Sequence, residues 1–260
     1  MTTKGGSGDA VPRTGSRPLT LSRGRRTSVD VVALLGPPGS GKSTVAAALT
    51  AERRDLRTFR LREFAQEQAR TDRAVAMALA NSRDALGWLP DGLATGLARR
   101  ALEGHVCHGG VLLMESYPGI HLQAACLLDD MKRLGCTGGV IELTAPEPVL
   151  LHRIERRLVC SACDPQRRRP AQLDPEKPDT CASCGAALQR RPNDARTVAE
   201  RRLARYRQCI PRTRASWQSS GLDWRTIDAD QDEPLVVTAA FSAFRSLAGV
   251  PSTISTKGHA

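Results

Sequence analysis

Short apolar runs alternate with longer stretches of helical periodicity along the chain from residue 29 to residue 250. The apolar runs predict five buried strands, at about 31–35, 57–61, 110–115, 138–143 and 222–227. The stretches between and after them predict helices, at about 45–49, 62–83, 91–102, 120–134, 147–158, 194–217 and from Pro234 onward. Strands that alternate with helices are typical of a parallel sheet covered on both faces. The pattern therefore predicts an α/β fold with a parallel five-stranded sheet.

The first strand leads into a glycine-rich loop that predicts phosphate binding. The segment from Gly36 to Thr44 reads Gly-Pro-Pro-Gly-Ser-Gly-Lys-Ser-Thr, and an alanine-rich helix start follows it. This order and spacing are those of a P-loop; a merely glycine-rich turn is the alternative, but it would need neither the lysine nor the hydroxyl. In a P-loop the backbone amides wrap a phosphate, Lys42 contacts the β- and γ-phosphates, and the Ser43 hydroxyl binds Mg²⁺. The predicted ATP-binding residues are Gly36, Gly39, Ser40, Gly41, Lys42, Ser43 and Thr44.

The segment from 159 to 192 loses this periodicity and accumulates cysteine, proline and arginine. It holds two Cys-x2-Cys pairs, Cys160 with Cys163 and Cys181 with Cys184, and seventeen residues separate the pairs. This arrangement is typical of a zinc ribbon, in which four thiolates hold one structural Zn²⁺. A redox pair or four independent thiols are the alternatives. Because the segment has no hydrophobic core of its own, metal binding would supply its folding energy.

Composition changes at both ends of the chain. Residues 1–28 contain six basic residues and one acid, and they carry about half of the net charge of +11. We expect a disordered basic tail at 1–28 and a second disordered tail at 251–260. The folded core is then expected at 29–158 and 193–250, with the zinc-binding insert at 159–192.

Composition also limits the class of protein. Aromatic residues make up only 3% of the chain, so the core must be aliphatic. No apolar run is long enough for a membrane span and no signal-type segment precedes the P-loop, so we expect a cytoplasmic protein without a membrane partner. The positive charge suits polyphosphates, and it would equally suit nucleic acid. Against nucleic acid, aromatic residues are few and the cysteine insert interrupts a sheet-and-helix pattern, so small-molecule nucleotides are the expected partners.

With these motifs the chain resembles the adenylate kinase family, in its long form with a zinc-bearing lid. The resemblance covers about residues 30 to 248. Besides the P-loop, it rests on the segments Leu89-Pro90-Asp91, Glu115-Ser116-Tyr117-Pro118-Gly119 with Gln123, Arg153-Ile154-Glu155-Arg156-Arg157-Leu158-Val159-Cys160, and Arg191-Pro192-Asn193-Asp194 with Arg202-Leu203 and Tyr206. The resemblance implies a P-loop NTPase-type core, a hinged lid at 159–192, a helical acceptor-binding segment at about 58–88, and a monomer.

The same resemblance implies roles for individual residues. The residues implied to surround the transferred phosphoryl group are Arg153, Arg157, Arg191 and Arg202, with Asp194 in the same catalytic set and Arg153 also contacting ATP. A loose phosphoryl-transfer state spreads negative charge over its oxygens, so it needs cations positioned around it and water excluded. For the acceptor, the resemblance implies Glu115 and Gln123.

The chain departs from the family pattern mainly on the acceptor side. Leu61 stands where the family has threonine, and Gln66 and Gly119 stand where it has arginines. A charge-assisted hydrogen bond is worth about 1.5–3 kcal/mol, so losing two cations would weaken an AMP-like acceptor by roughly 3–6 kcal/mol. Arg60 and Arg62 could replace the missing cations. Alternatively, the acceptor is a different molecule, or the protein binds ATP without transferring phosphate.

The sequence therefore predicts an ATP-dependent nucleotide kinase that transfers the γ-phosphoryl group of Mg-ATP to a nucleoside monophosphate, with the acceptor specificity left open. The alternative is an ATP-binding sensor or scaffold with weak or no transferase activity. The expected cofactors are ATP, Mg²⁺ and a structural Zn²⁺.

Overall fold

The computed structural model describes residues 30–81 and 88–248. Within these ranges the strands are β1 (Val31–Leu35), β2 (Leu56–Phe59), β3 (Val111–Glu115), β4 (Gly138–Thr144) and β5 (Asp223–Asp228). The α-helices are α1 (Lys42–Glu52), α2 (Leu61–Gln68), α3 (Arg73–Asn81), α4 (Asp91–Val106), α5 (His121–Leu134), α6 (Glu147–Arg156), α7 (Arg196–Ser219) and α8 (Glu233–Ala248). The tails expected at 1–28 and 251–260 lie outside the described residues.

The strands form one parallel sheet in the order β2-β3-β1-β4-β5. Every residue of β1 is buried, as expected for the central strand of a sheet covered on both faces. On one side of β1, Leu34 lies opposite Glu115 of β3, and on the other side Leu35 lies opposite Glu142 of β4. The predicted α/β fold with a five-stranded parallel sheet is confirmed.

Helices cover both faces of the sheet with aliphatic side chains. On one face, α1 and α8 pack against alternate strand residues such as Val32 and Leu113. On the other face, α4, α5 and α7 pack against the intervening residues, such as Ala33 and Met114. The alternation along each strand thus divides the core into two layers.

One predicted helix is wrong in its continuity. The single helix expected at 62–83 is two helices, α2 and α3, separated by a turn at residues 69–72, and its last two residues lie outside the described ranges. The carboxylate of Asp72 accepts hydrogen bonds from the backbone N–H groups of Ala74 (2.9 Å) and Val75 (3.2 Å). Asp72 therefore caps the start of α3, a role that an aspartate within an alanine-rich stretch did not reveal.

The cysteine-containing segment between α6 and α7 has irregular structure, with isolated β-bridges. Its neck is closed by Val159 and Gln189, which exchange two backbone hydrogen bonds of 2.9 and 3.0 Å. Arg157 before the segment and Arg191 near its end line the same cavity as the loop that follows β1. Within the described ranges, no helix is both long and apolar enough to cross a membrane.

Candidate active site

The glycine-rich loop has the backbone geometry that phosphate binding requires. Gly36 has φ +148° and lies so close to β4 that a side-chain carbon there would be 2.6 Å from the carbonyl oxygen of Leu143. Gly41 has φ +88° and precedes the first residue of α1, Lys42. Only glycine adopts both conformations without strain. The loop therefore presents its backbone amides and the positive end of α1 to the same point.

Lys42 is held inside this loop rather than extended into solvent. Its Nζ donates hydrogen bonds to the carbonyl oxygens of Gly36 (2.9 Å) and Pro37 (2.8 Å). The pKa of Lys42 is lowered to about 7, chiefly by burial; the charge of Glu115 opposes this shift, and the positive charges of Arg202 and Arg157 contribute to it. Lys42 therefore lies where an entering anion would restore its full charge.

A chain of hydrogen bonds joins the loop to the neighbouring strand end. The Ser43 hydroxyl donates to Oε1 of Glu115 (2.6 Å), and Nε of Arg60 donates to Oε2 of the same carboxylate (2.6 Å). Glu115 is the last residue of β3, and its side chain is 8% exposed. An alcohol and a carboxylate oxygen this close together are the ligands that Mg²⁺ prefers.

These groups line a cavity of about 720 Å³. It brings together most of the residues that the sequence singled out: Gly39, Ser40, Gly41, Lys42, Ser43, Thr44, Arg60, Arg62, Glu115, Arg153, Arg157, Arg191 and Arg202. Gly36, Gln123 and Asp194 are not part of the cavity wall, and neither are the four cysteines. One cavity thus collects groups from the P-loop, α2, α6, α7 and the cysteine-containing segment.

Asp194 supports an arginine of the cavity instead of lining it. Its carboxylate accepts two hydrogen bonds from Arg157, one of them from Nε at 2.8 Å. The side chain of Asp194 is 4% exposed. Arg153 is also anchored, because its Nη1 donates to the carbonyl oxygen of Ala229 (2.8 Å). Both guanidinium groups are therefore held in one orientation at the cavity wall.

The remaining arginines concentrate positive charge at the same wall. Burial lowers the pKa of Arg191, and so does the nearby charge of Arg157. Burial likewise lowers the pKa of Arg202, with further contributions from Arg191, Arg157 and Arg62. Cations that repel one another in a partly desolvated cavity create a site for a polyanion.

Gln123, predicted to contact the acceptor, is engaged in the protein's own structure. Its Oε1 accepts a hydrogen bond from the backbone N–H of Gly119 (2.8 Å), and its Nε2 donates to Oδ1 of Asp91 (3.0 Å). The residue is 8% exposed. Gln66 is exposed and lies outside the cavity wall, whereas Leu61 is part of that wall.

From the sequence, neither Arg168 nor Trp88 was singled out for this site. Arg168, from the cysteine-containing segment, reaches across to Glu63 of α2 with contacts of 3.0 and 3.2 Å. Trp88 lines the cavity, and the guanidinium of Arg205 lies 3.7 Å from the centre of its ring. Because the chain has 33 arginines, being an arginine did not mark Arg168 as a site residue. Trp88 could have been noticed, because aromatic residues make up only 3% of the chain.

The four cysteines of the insert converge as the sequence predicted. Their sulphur atoms all lie within 4.8 Å of one another, with Cys160 and Cys184 at 3.5 Å and Cys163 and Cys181 at 3.8 Å. Metal–sulphur bonds of about 2.3 Å in a tetrahedron place sulphur atoms about 3.8 Å apart. Backbone N–H groups, chiefly that of Ser183, lower the pKa of Cys181 to about 7 and so favour a thiolate. The cluster fits a tetrahedral metal ion with no open position.

Curated adenylate kinases align with most of this chain. The adenylate kinase of Desulfitobacterium hafniense (strain DSM 10664 / DCB-2) is 28% identical over 200 residues, which are 76% of this chain and 90% of that protein. The adenylate kinase of Syntrophotalea carbinolica is 29% identical over 203 residues, 76% of this chain and 91% of that protein. That of Geobacter sulfurreducens is 29% identical over 174 residues, 66% and 78% of the two chains. No protein-family model matches the chain. These relatives confirm the resemblance inferred from the motifs.

The environment of Lys42 predicts an unusual titration in the unliganded protein. Nuclear magnetic resonance of the lysine side chains should show Lys42 titrating near pH 7, well below the reference value of about 10.4 for a lysine side chain. Arg202→Gln removes a neighbouring positive charge and should raise the pKa of Lys42, and Glu115→Gln removes a negative one and should lower it. A Lys42 that titrates at the reference lysine value of about 10.4 would contradict this account of the site.

Proposed function

We propose that this chain, a relative of the adenylate kinases, is a phosphotransferase that moves the γ-phosphoryl group of Mg-ATP to a nucleoside monophosphate. The proposal depends mainly on one observation: the P-loop, with Lys42, lines the same cavity as Arg157, Arg191 and Arg202. A transferred phosphoryl group needs little from the protein beyond positioning and charge, and this cavity offers both.

In the proposed complex, the triphosphate of ATP lies on the amides of the P-loop, with Lys42 at its β- and γ-phosphates. The pKa of Lys42 is about 7 in the empty site. The negative charge of a triphosphate would raise this pKa, so that Lys42 is fully protonated in the complex. Ser43 and Glu115, 2.6 Å apart, would hold the Mg²⁺ ion, which neutralises charge on the β- and γ-oxygens. Arg153, which donates a hydrogen bond to the carbonyl oxygen of Ala229, would lie beside the nucleoside end of the ATP.

The arginines supply electrostatic stabilisation during transfer. Arg157 is oriented by buried Asp194, so its charge is aimed before the substrate arrives. Arg191 and Arg202 add charge from either side of the lid hinge. Preorganised cations in a site that excludes water act more strongly than the same groups in solution, because they need not reorganise as the reaction proceeds.

The acceptor phosphate is proposed to bind at Arg62. Arg60 is committed to Glu115 by a 2.6 Å contact, which leaves it a structural partner of the Mg²⁺ site. Arg62 lines the cavity and is near enough to Arg202 to lower its pKa. Arg62 can therefore take over from the cations that Gln66 and Gly119 do not supply. The proposed acceptor remains a nucleoside monophosphate, held by a different arginine.

Residues 159–192 are proposed to act as a lid held together by Zn²⁺ at Cys160, Cys163, Cys181 and Cys184. Four thiolates with no open ligand position point to a structural ion. The contact of Arg168 with Glu63 brings this segment against the acceptor-side helix α2, where a closed lid would exclude water from the cavity.

A sensor or scaffold that binds ATP without transfer is the second candidate. Two observations favour it. Leu61, an uncharged residue, is part of the cavity wall, and Gln123 donates a hydrogen bond to Asp91 instead of lining the cavity. Against it stand the oriented arginines, which ATP binding alone would not require.

Removal of the P-loop lysine should abolish transfer. In an assay of ADP formation from Mg-ATP with a panel of nucleoside monophosphates and nucleosides, Lys42→Ala should lower kcat by at least about 100-fold. Lys132→Ala removes an exposed lysine and serves as the matched control, with no change expected. If wild-type protein binds Mg-ATP and transfers to no acceptor in the panel, the sensor hypothesis replaces the kinase.

Arg62 should determine the affinity for the acceptor. With the acceptor that the panel identifies, Arg62→Ala should raise the acceptor KM by about tenfold to about 100-fold, the equivalent of one charge-assisted contact, and leave the KM for ATP unchanged. Arg70→Ala, at an exposed position of the turn after α2, is the control. A rise in the KM for ATP alone would place Arg62 on the donor side.

The lid should depend on its metal. We expect one zinc per purified chain by mass spectrometry of the metal content, and loss of zinc in Cys163→Ser. Cys107→Ser, an exposed cysteine outside the cluster, should retain it. Because metal binding supplies the lid's folding energy, its loss should speed tryptic cleavage after Arg167 and Arg168 while the core stays resistant. Absence of stoichiometric metal, or unchanged cleavage, would contradict the proposal.

A further inference from the structure

A buried carboxylate of β4 takes no part in the side-chain contacts described above. Glu142, near the carboxyl end of β4, is 2% exposed. Its Oε1 accepts a hydrogen bond from the hydroxyl of Tyr206 (2.7 Å), and its Oε2 accepts one from Nε1 of Trp224 (2.9 Å) and an ionic contact from Arg214. A carboxylate taken out of water persists only with such partners.

Two of these partners lie on α7, the helix that brings Arg202 to the cavity. Tyr206 follows Arg202 by four residues, so the two side chains project from the same face of the helix in successive turns. Arg202 lines the cavity, and the hydroxyl of Tyr206 donates to the carboxylate of Glu142. Glu142 therefore holds α7 at the turn next to Arg202.

The strand that bears Glu142 also supports the phosphate-binding loop. Glu142 lies opposite Leu35, the last residue before that loop. The next residue of the strand, Leu143, contacts the loop through its carbonyl oxygen, which would be 2.6 Å from a side-chain carbon at Gly36. One short stretch of β4 therefore contacts both the phosphate-binding loop and the helix that carries Arg202.

We propose that Glu142 is a positioning residue which, through Tyr206, fixes Arg202 relative to the P-loop. The inference rests on the proposed kinase function. A purely apolar contact between α7 and the sheet would tolerate sliding, since aliphatic side chains can repack. Sliding α7 by one turn, about 5.4 Å, would leave the carboxylate without Tyr206 and Arg214. The polar network thus selects one register of the helix, and with it one position of the guanidinium.

Tyr206→Phe tests the proposal because it removes one hydroxyl and keeps the ring. We expect kcat to fall by about tenfold or more, as small displacements of catalytic groups do. In an Arg202→Ala background the same substitution should change kcat by less than about twofold, because Tyr206 would act only through Arg202. A Tyr206→Phe effect that is undiminished without Arg202 would overturn the proposal.

Trp224→Phe is the matched control. It removes another donor of Glu142, but from β5, a strand that contributes no residue to the cavity wall. Both variants should lower the unfolding temperature, and only Tyr206→Phe should lower kcat. Equal losses of kcat in the two variants would indicate a merely structural network and overturn the proposal.

Affinity for Mg-ATP, measured by calorimetry on the same variants, separates this inference from the proposed function. If wild-type protein transfers no phosphate, the kinase proposal fails by itself. The positioning role then still requires that Tyr206→Phe weakens Mg-ATP binding in the presence of Arg202 and not in its absence. Equal weakening in both backgrounds would overturn it.

Discussion

Confinement of positive charge against a loop of backbone amides is the constraint on which the rest of this structure depends. Burial lowers the pKa values of Lys42, Arg191 and Arg202, and the nearby positive charge of Arg157 contributes to each shift. Glu115 and Asp194 offset part of the charge. The repulsion that is left costs stability in the empty protein and becomes attraction when a polyphosphate enters. The site is built for its ligand more than for the isolated fold.

Two carboxylates on the strands that flank β1 anchor this arrangement. Glu115 ends β3 and faces the cavity, where it links Ser43 to Arg60. Glu142 lies at the corresponding level of β4 and faces α7, where it collects Tyr206, Arg214 and Trp224. Parallel strands align their carboxyl ends, so both carboxylates lie level with the start of the P-loop. The sheet thus positions both the loop and the charged side chains around it.

The departures from the family pattern on the acceptor side have structural counterparts. Gly119 uses its backbone N–H to bind Gln123, and Gln123 in turn is tied to Asp91. Arg62 and Arg168 approach the cavity from α2 and from the cysteine-containing segment, and Arg168 is paired with Glu63. The cavity wall thus carries arginines although Gln66 and Gly119 are uncharged, which is why we favour a kinase over a silent ATP-binding protein.

Local sequence signals determined the sheet, the loop and the cysteine cluster, because each depends on spacing along the chain: apolar runs for strands, glycines around Lys42, and paired Cys-x2-Cys for the insert. The sequence did not reveal the break at Asp72, since an aspartate is compatible with both a helix surface and a cap. The pairing of Arg157 with Asp194, the hydrogen bond between Tyr206 and buried Glu142, and the pairing of Arg60 with Glu115 join groups far apart in the chain. Only the tertiary structure decided these, because the partner of a charged side chain is set by which strands and helices lie side by side, and no local pattern records that.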